Sequence, residues 1–391
     1  MLVSELLDVI DLTAVCGNPR GRGFSRETDA ADPSSPTKAS AHITHQHPLQ
    51  PFAAGNFADG AQAGFAAPWF RAAQRLSEAV EAPQPFAGTL AAPDQDWLTL
   101  EPSQLIHCFK HPARYLLEQR LGLRLAQSEE ALAGDEPFSV EWTSQHGLRQ
   151  LALQAIERGW SEREERAVAA ASGWLPVGEL GQAHWGQIRG PIRAFAPTLF
   201  DERPEDAPQP LLVDIELAGV RIHGWLDGVS ASGLFDYRLR DLGAWELAPF
   251  WLRHLLLNCA APSDIARDSR LLSPKSEWRL GPLANPLELL EPWLDAYQSA
   301  LCEPLPVLAK CSYGFARKWR HPGRKEPIDA ARSEARLMWQ GNDFMSGEGQ
   351  DPWNALAFRD RDPLDERFEA LAEQLYGPAL DALTAMNGDD E

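Results

Sequence analysis

Cysteine is scarce in this sequence and is never clustered. The 391 residues include five cysteines, and no two are close enough for a C-x-x-C pair: Cys16, Cys108, Cys259, Cys302 and Cys311. No histidine and cysteine grouping has the spacing of a zinc site, and an odd, scattered count does not suit a disulfide scaffold. We therefore expect free thiols in a reducing compartment and no metal or other cofactor held by this chain.

Long apolar runs are also absent. No stretch of about 18 apolar residues occurs anywhere, which excludes a transmembrane helix. The opening segment MLVSELLDVIDL is apolar at helical spacing, but Glu5, Asp8 and Asp11 interrupt it, so it does not resemble a signal peptide. We expect a cytoplasmic protein without membrane contact.

Positive charge is in short supply. The chain has 36 Lys and Arg residues against 56 Asp and Glu residues, which gives a formal net charge of −20. A surface this acidic repels a polyanion, so the chain does not bind nucleic acid over its whole surface. For most of the surface, solubility is a sufficient explanation of the acidic residues. Any DNA contact must use a local basic patch or be shared with partner chains.

One such patch is present at residues 310–325, KCSYGFARKWRHPGRK, which we call the basic segment. It contains no acidic residue and interleaves cations with aromatic rings, so cations could follow phosphates while rings stack on an unpaired base. The candidate DNA-binding residues are Lys310, Phe315, Arg317, Lys318, Trp319, Arg320, Arg324 and Lys325. The alternatives are a solvated loop with a core tryptophan, or a patch that faces a partner protein.

The chain divides into a linker-rich first quarter and a longer folded region. One amphipathic helix is predicted over residues 1–12, followed by a Gly- and Pro-rich extended segment to about residue 70. A second Pro-broken stretch covers residues 82–95. We therefore predict an N-terminal helix and linker over 1–95 and a domain over 96–391.

Within the second region, the hydrophobic patterning predicts helices on both sides of a small sheet. A helix is expected from Glu101 with a break at Pro112, a second helical stretch over 145–172, and an apolar helix from Pro249. Residues 211–239 alternate apolar and polar residues between turn signals, which predicts three short antiparallel strands, and another strand pair is expected at 270–280. This order predicts an α/β or α+β core.

The same order is how a restriction-endonuclease-like nuclease core, of the PD-(D/E)XK type, is built. Those nucleases hold divalent metal with two acids on neighbouring strands and place a Lys two residues after the second acid. Here Asp227 and Asp236 occupy the acidic positions, while Arg238 stands where the Lys is expected. Arginine keeps its proton, and its wide planar group does not replace a compact ammonium beside a metal.

Other parts of that nuclease pattern are missing too. RecB-type nuclease domains place a His four residues after a helical Gly, where this chain has Trp185, and His184 lies one place short. They also carry a Gln-x-x-x-Tyr pair on the helix after the strands, and neither residue type occurs between Arg238 and Ala260. We predict a catalytically degenerate nuclease-like core with no catalytic residue. The alternative is an active metal-dependent DNA exonuclease that uses Asp227 and Asp236.

Segments in order along the chain resemble the C-terminal part of the RecC family, the gamma chain of exodeoxyribonuclease V. They are LVSELLDVI, IHCFKHPARYLLEQRLGLRL, FSVEWTSQHGLRQ, LPVGELG, GVRIHGWLDGVSASGLFDYRLRDL and GNDFMSGEGQDPWNALAFR. The resemblance is weakest from about residue 13 to 95.

The resemblance implies a role in RecBCD, the helicase–nuclease that processes broken DNA ends for homologous recombination. In that complex RecB and RecD supply the ATP-driven motors, RecB supplies the Mg²⁺-dependent nuclease, and RecC holds both, splits the strands and scans the single strand. The family's C-terminal domain is nuclease-like but inactive. This chain has no G-x-x-x-x-G-K-[ST] phosphate loop, so we do not expect it to hydrolyse ATP. Nothing in it matches the family's upstream helicase-like domains, which contribute most of the tunnel that scans the single strand. A fragment that folds poorly alone is a further alternative.

Overall fold

The computed structural model describes residues 2–13, 40, 44, 47–57, 64–77, 89–125, 139–320, 327–359 and 361–387; the side chains of Trp142, Pro327 and residues 385–387 are excepted. The chain separates into two compact units, Met1–Pro83 and Gln84–Glu391. The domain boundary at residue 95 stays a prediction.

The first unit contains two described helices, α1 at Leu2–Thr13 and α2 at Ala67–Ser77, with a 3₁₀ turn at Ala54–Phe57. Helix α1 matches the predicted amphipathic helix, and the Asp11 carboxylate accepts from the backbone N–H and the hydroxyl of Ser40. Helix α2 begins inside the stretch predicted to be an extended segment. Most of that stretch lies outside the described residues.

The second unit is built on one mixed six-stranded sheet. Its strands are β1 (Thr99–Leu100), β2 (Gln209–Leu217), β3 (Val220–Ser230), β4 (Gly233–Tyr237), β5 (Ser269–Leu272) and β6 (Glu277–Leu280). Strand β3 pairs antiparallel with β2 and β4 and parallel with β1, whereas β4 pairs parallel with β5, and β5 antiparallel with β6. The predicted three-stranded meander and the following strand pair are confirmed, and the fold is α+β.

The two hairpin turns of the meander follow directly from the sequence. Leu217 pairs with Val220 across a two-residue loop, in which Ala218 and Gly219 have φ of 51° and 76°. Two successive positive φ angles are the signature of the type I′ turn, whose twist matches that of the flanking strands. On β2 the side chains then alternate between buried and exposed, so the hairpin has one apolar and one polar face.

One face of the sheet is covered by helices of the main apolar core. These are α3 (Pro102–Lys110), α8 (Ala244–Ala260), α9 (Pro286–Ala300) and α13 (Glu366–Asn387). Trp251 and Trp293 are almost fully buried here, and the Trp293 ring meets Phe109 edge-on, with ring centroids 4.7 Å apart. Both tryptophans therefore anchor the main core.

Two further apolar clusters complete the unit. Helices α5 (Trp142–Glu157), α6 (Glu162–Ala171) and α7 (Glu179–Glu202) pack with one another and with side chains of β4 and β5. The remaining elements form the third cluster with part of α13: α4 (Pro112–Tyr115) with its continuation Leu116–Arg120, α10 (Ala309–Trp319), α11 (Pro327–Gln340) and α12 (Pro352–Ala357). Strands β7 (Gly341–Asn342) and β8 (Met345–Ser346) form a small hairpin after α11.

Two helix boundaries differ from the sequence predictions. Helix α8 begins at Ala244 rather than at Pro249, because the Glu246 carboxylate accepts from the Gly243 N–H at 2.9 Å and starts the helix earlier. The helical stretch over 145–172 is two helices, separated at Gly159, which has a φ of +65°. The break at Pro112 is confirmed.

Helix α8 carries a buried polar network inside the main core. The His254 imidazole lies 2.8 Å from the Ser269 hydroxyl and 3.1 Å from the Gly281 carbonyl oxygen, and Asn258 donates to the His254 carbonyl oxygen at 2.9 Å. Burial lowers the pKa of His254 to about 4. The ring is therefore neutral in the folded protein at neutral pH and links α8 to β5.

Acidification should consequently destabilise the fold. The unfolded chain takes up a proton at His254 near the ordinary pKa of 6.5, whereas the folded chain resists protonation until about pH 4, so stability falls as pH falls through that window. We expect His254 to account for a loss of about 1.5 kcal/mol between about pH 7 and 5. Urea unfolding of the wild type and of His254→Gln across this range checks it, and equal pH slopes would contradict it.

Candidate functional site

The predicted nuclease positions lie close together, at the ends of two neighbouring strands. Asp227 is exposed near the end of β3, Asp236 is in β4, and Arg238 directly follows β4. The Arg238 guanidinium is 3.0 Å from the Asp236 carboxylate and also donates to the Tyr237 carbonyl oxygen at 2.8 Å. The two acids and the arginine thus have the relative order in the chain and sheet that the sequence predicts.

A residue that the sequence analysis missed connects these positions. Arg253, from α8, donates through Nη1 to Oδ2 of Asp236 at 2.7 Å and through Nη2 to the backbone oxygen of Asp227 at 2.6 Å. Its side chain is only 18% exposed and that of Asp236 is 26% exposed. The Asp236 carboxylate therefore meets two guanidinium groups, Arg253 and Arg238. The sequence signal that could have identified Arg253 is that it is the lone arginine in the apolar run FWLRHLLLNCA. A charge on a buried helix needs a partner.

This arrangement is that of an ion pair that supports the fold. A divalent metal needs several convergent oxygen or nitrogen ligands, and a fixed positive charge on a carboxylate opposes the approach of another cation. Across the described ranges, no grouping of three or more His, Cys, Asp or Glu side chains could hold a metal ion. The chemistry that this geometry supports is charge pairing between β4 and α8.

Two further acids, Asp214 and Glu216, are on the exposed face of the β2–β3 hairpin. Arg221 donates to both carboxylate oxygens of Asp214, at 3.0 Å each, and this hydrogen bonding lowers the pKa of Asp214. Glu216 is exposed and lies opposite Arg221 in the strand register. Strand alternation accounts for both positions.

The position where a RecB-type domain has its helical His is filled by a core side chain. Trp185 of α7 is 3% exposed and packs in the α5–α7 cluster. Gly181, four residues earlier, is required for a different reason, since a Cβ there would lie 1.9 Å from the Pro176 carbonyl oxygen. The glycine therefore permits close approach of a loop to the helix.

The described part of the basic segment, residues 310–320, lies in helix α10 and directly after it, and the fold divides these residues into two groups. Phe315 is 2% exposed, Arg320 pairs with Glu373 and Asp381 of α13, and the Lys310 ammonium donates to the Ser346 carbonyl oxygen at 3.1 Å. These contacts hold α10 to its neighbours, so we leave these three residues out of the candidate surface. Arg324 and Lys325 lie outside the described residues.

The remaining candidates share the last turn of α10. Arg317 is exposed, Lys318 is half-buried, and within the described ranges neither makes a salt bridge. Trp319 is 37% exposed, and its ring lies nearly parallel to Phe315, with 14° between planes and 6.4 Å between centroids. We call Arg317, Lys318 and Trp319 the α10 surface. It combines two cations with an aromatic ring that the core holds in place.

The first turn of α10 is capped by a residue from a distant motif. Glu348 is 4% exposed, and its carboxylate accepts from the Cys311 N–H at 2.9 Å. Burial raises the pKa of this carboxyl group. Glu348 therefore caps α10. The motif Gly347-Glu348-Gly349, which lies between α11 and α12, thus connects this part of the chain to α10.

Two of the segments used for the family resemblance also contact each other directly. His111, from FKHPARY, lies 2.9 Å from the Asp351 carboxylate, from GQDPW, and Asp351 in turn accepts from the Trp353 and Asn354 N–H groups at the start of α12. Arg114 lies over the Trp353 ring, 5.6 Å from its centroid. The contacts between these two motifs therefore hold the start of α4 against the start of α12.

Two more predictions concern cysteine and the membrane. The described cysteines are free: Cys108, Cys259, Cys302 and Cys311. Cys16 lies outside the described residues. In the part of the chain that the structure describes, no helix is both long enough and apolar enough to cross a membrane.

Comparison with known proteins identifies the family. The RecC C-terminal domain model matches residues 97–320, more than half of the chain, a range that includes the sheet, Arg253 and α10. The RecBCD enzyme subunit RecC of Escherichia coli (strain K12) is 29% identical over 351 residues, covering 87% of this chain and 30% of that relative. The subunit RecC of Mycolicibacterium smegmatis is 28% identical over 294 residues, covering 72% of this chain and 26% of the relative.

A third relative extends the match over still more of the chain. The subunit RecC of Mycobacterium tuberculosis (strain H37Rv) is 26% identical over 384 residues, covering 90% of this chain and 34% of the relative. This chain thus spans only about a third of the length of the curated relatives that it matches. By the match to the family model and to these relatives, the chain belongs to the RecC family, in its C-terminal domain.

Proposed function

We propose that this chain is a non-catalytic, DNA-guiding and scaffolding component of a RecBCD-type complex that repairs double-strand breaks by homologous recombination. The relatives are named as the RecC subunit of the RecBCD enzyme, which supports RecB and RecD as partners. In this proposal the partners use ATP and Mg²⁺, and the chain contacts double-stranded DNA ends and single-stranded DNA in the cytoplasm.

The observation that carries the non-catalytic part is the position of Arg253. A nuclease of the PD-(D/E)XK type needs its acids free to bind metal and a Lys close to the reacting phosphate. Here the Asp236 carboxylate is engaged by Arg253 at 2.7 Å and by Arg238 at 3.0 Å, and neither arginine can release its proton. This charge pairing supports a nuclease-like scaffold that has lost its metal site.

The alternative, a working exonuclease, makes a different prediction. If Asp227 and Asp236 bind metal, purified chain should digest linear DNA when Mg²⁺ is added, and Asp236→Ala should abolish the digestion. We expect no digestion above that of an Asp227→Ala/Asp236→Ala preparation made in parallel.

The DNA-guiding part rests on the α10 surface. The helix dipole favours cations in any last helical turn, so it alone accounts for Arg317 and Lys318. It does not account for an indole ring that is more than one-third exposed beside them and stacked against the buried Phe315. Cations that meet phosphates next to a fixed aromatic ring are the combination that single-stranded DNA sites use.

Charge reversal on this surface should weaken DNA binding. We expect Arg317→Glu/Lys318→Glu to lower the affinity for a forked duplex with single-stranded tails at least about tenfold at low salt, and to reduce the salt dependence of binding, because phosphate contacts are lost. Trp319→Ala should lower affinity for the single-stranded tail with little change in salt dependence, because stacking is not ionic. Fluorescence anisotropy of the full chain measures both.

The matched control is Arg193→Glu/Arg359→Glu, which changes the net charge equally. Both residues are exposed, lie away from α10 in the chain, and make no salt bridge within the described ranges. An equal loss of affinity in this control would mean that only net charge matters, and the α10 surface would then have no specific role. Co-purification with RecB and RecD tests the scaffolding part separately.

A further inference from the structure

A groove on the helical cluster is unused by the proposed DNA contact. It encloses about 450 Å³ between α6 and the start of α7, and the loop that joins them forms one wall. Helix α6 contributes Ala167 and Ala170, and α7 contributes Gly181 and Trp185. Because these residues except Trp185 have small or no side chains, the two helices leave a channel with the indole ring in its wall.

The rim of this groove is apolar on one side. Val177 of the joining loop lines the groove and is 74% exposed, and Leu180 of α7, the sequence neighbour of the lining residue Gly181, is 42% exposed. Large aliphatic side chains at this exposure lose water contact only when something covers them, and that burial is favourable. The groove and its rim therefore favour an apolar occupant.

The other side of the rim is cationic. Arg163 and Arg166 of α6 both line the groove. Arg166 pairs with Glu162 at 2.6 Å, whereas Arg163 is exposed and has no acidic partner within the described ranges. The occupant should therefore carry a carboxylate as well as apolar side chains. A nucleic acid is disfavoured, because it would bring a row of phosphates past the exposed carboxylates of Glu162 and Glu164, whereas a single carboxylate can approach Arg163 alone.

We propose that this groove binds a short segment of a partner protein that combines apolar residues with at least one Asp or Glu. The apolar side chains fill the channel over Trp185 and cover Val177, while the carboxylate pairs with Arg163. A volume of about 450 Å³ accommodates a few side chains and not a whole domain, so the occupant is an exposed motif of the partner. This site is independent of the α10 surface, and either proposal stands if the other fails.

Selection of a phage library of random short peptides on the full chain tests the proposal. We expect the enriched peptides to combine Leu, Ile, Val or Phe with Asp or Glu. Their affinity, measured with synthetic fluorescein-labelled copies, should fall at least about tenfold on Arg163→Glu, because attraction becomes repulsion. Ala167→Glu, which places a carboxylate in the channel, should abolish binding. Both residues are exposed on α6, so these variants should fold.

A control variant shows whether peptide binding depends on the groove or only on net charge. Arg359→Glu, an exposed charge reversal outside the groove, should leave peptide affinity unchanged. Failure to enrich any peptide, enrichment of basic peptides, or unchanged binding to Ala167→Glu would overturn the proposal. Light scattering of the full chain tests whether a second copy of the chain occupies the groove. Self-association that Ala167→Glu removes would make the groove an interface between two copies and would also overturn the proposal.

Discussion

Replacing Glu348 with alanine should lower the free energy of unfolding by about 3 kcal/mol, because a buried N–H would lose its acceptor and a cavity would form. The Glu348 side chain is 4% exposed and accepts from the Cys311 N–H in the first turn of α10. An acceptor there also interacts favourably with the positive end of the helix dipole. Denaturant unfolding of the full chain measures the loss.

Glu348→Gln distinguishes the acceptor from the charge. The amide oxygen can still accept from Cys311, and burial already raises the pKa of the Glu348 carboxyl, so a neutral group is tolerated there. We expect Glu348→Gln to lose less than half as much stability as Glu348→Ala. Glu291→Ala, at an exposed position on α9, should be nearly neutral. Equal losses for Gln and Ala would show that the hydrogen bond is not the main contribution.

Replacing Asp236 with alanine should also destabilise the fold, by about 3 kcal/mol, since two guanidinium groups would be left without their shared carboxylate. Asp236 and Arg253 are mostly buried, at 26% and 18% side-chain exposure, so solvent screens their interaction only in part. An acid kept for metal binding behaves in the opposite way. Removing it relieves repulsion between carboxylates and stabilises the metal-free protein.

Two further measurements distinguish a charge pair from a metal site. Asp236→Leu/Arg253→Met, which replaces the pair by apolar groups of similar size, should recover much of the stability lost in Asp236→Ala. Addition of Mg²⁺ should leave the midpoint of wild-type unfolding unchanged, because ligand binding to the native state would raise it. A stabilising effect of Asp236→Ala, or a midpoint raised by Mg²⁺, would contradict the charge-pair interpretation and revive the nuclease alternative.

The sequence predicted the structure correctly where the signal depends on neighbouring residues. The Ala218-Gly219 turn, the alternation in β2 and the break at Pro112 depend on backbone preferences and on the two faces of a strand, which neighbouring residues specify. The start of α8 was misplaced because Glu246 bonds back to Gly243, a contact that competes with the usual preference for Pro in a first turn.

The candidate sites could not be predicted in this way, because they depend on contacts between distant parts of the chain. In the basic segment, eight residues shared the same composition signal, yet the fold buries Phe315, pairs Arg320 with α13 and leaves Arg317, Lys318 and Trp319 at the surface. Helical periodicity separates faces, but it does not say which face a neighbouring helix will cover. The position of Glu348 could not be predicted either, since its partner lies 37 residues away in the chain.

By itself, the sequence determined the α+β class, the meander, the family and the presence of Arg238 where the PD-(D/E)XK nuclease pattern has a lysine. Each of these depends on residue identity or on short-range spacing. Only the tertiary structure decided that Arg253 neutralises Asp236, that Glu348 caps α10, and that α6 and α7 enclose a groove. The physical reason is that charge pairing, capping and cavity shape depend on distances between elements, and packing of the whole core sets those distances.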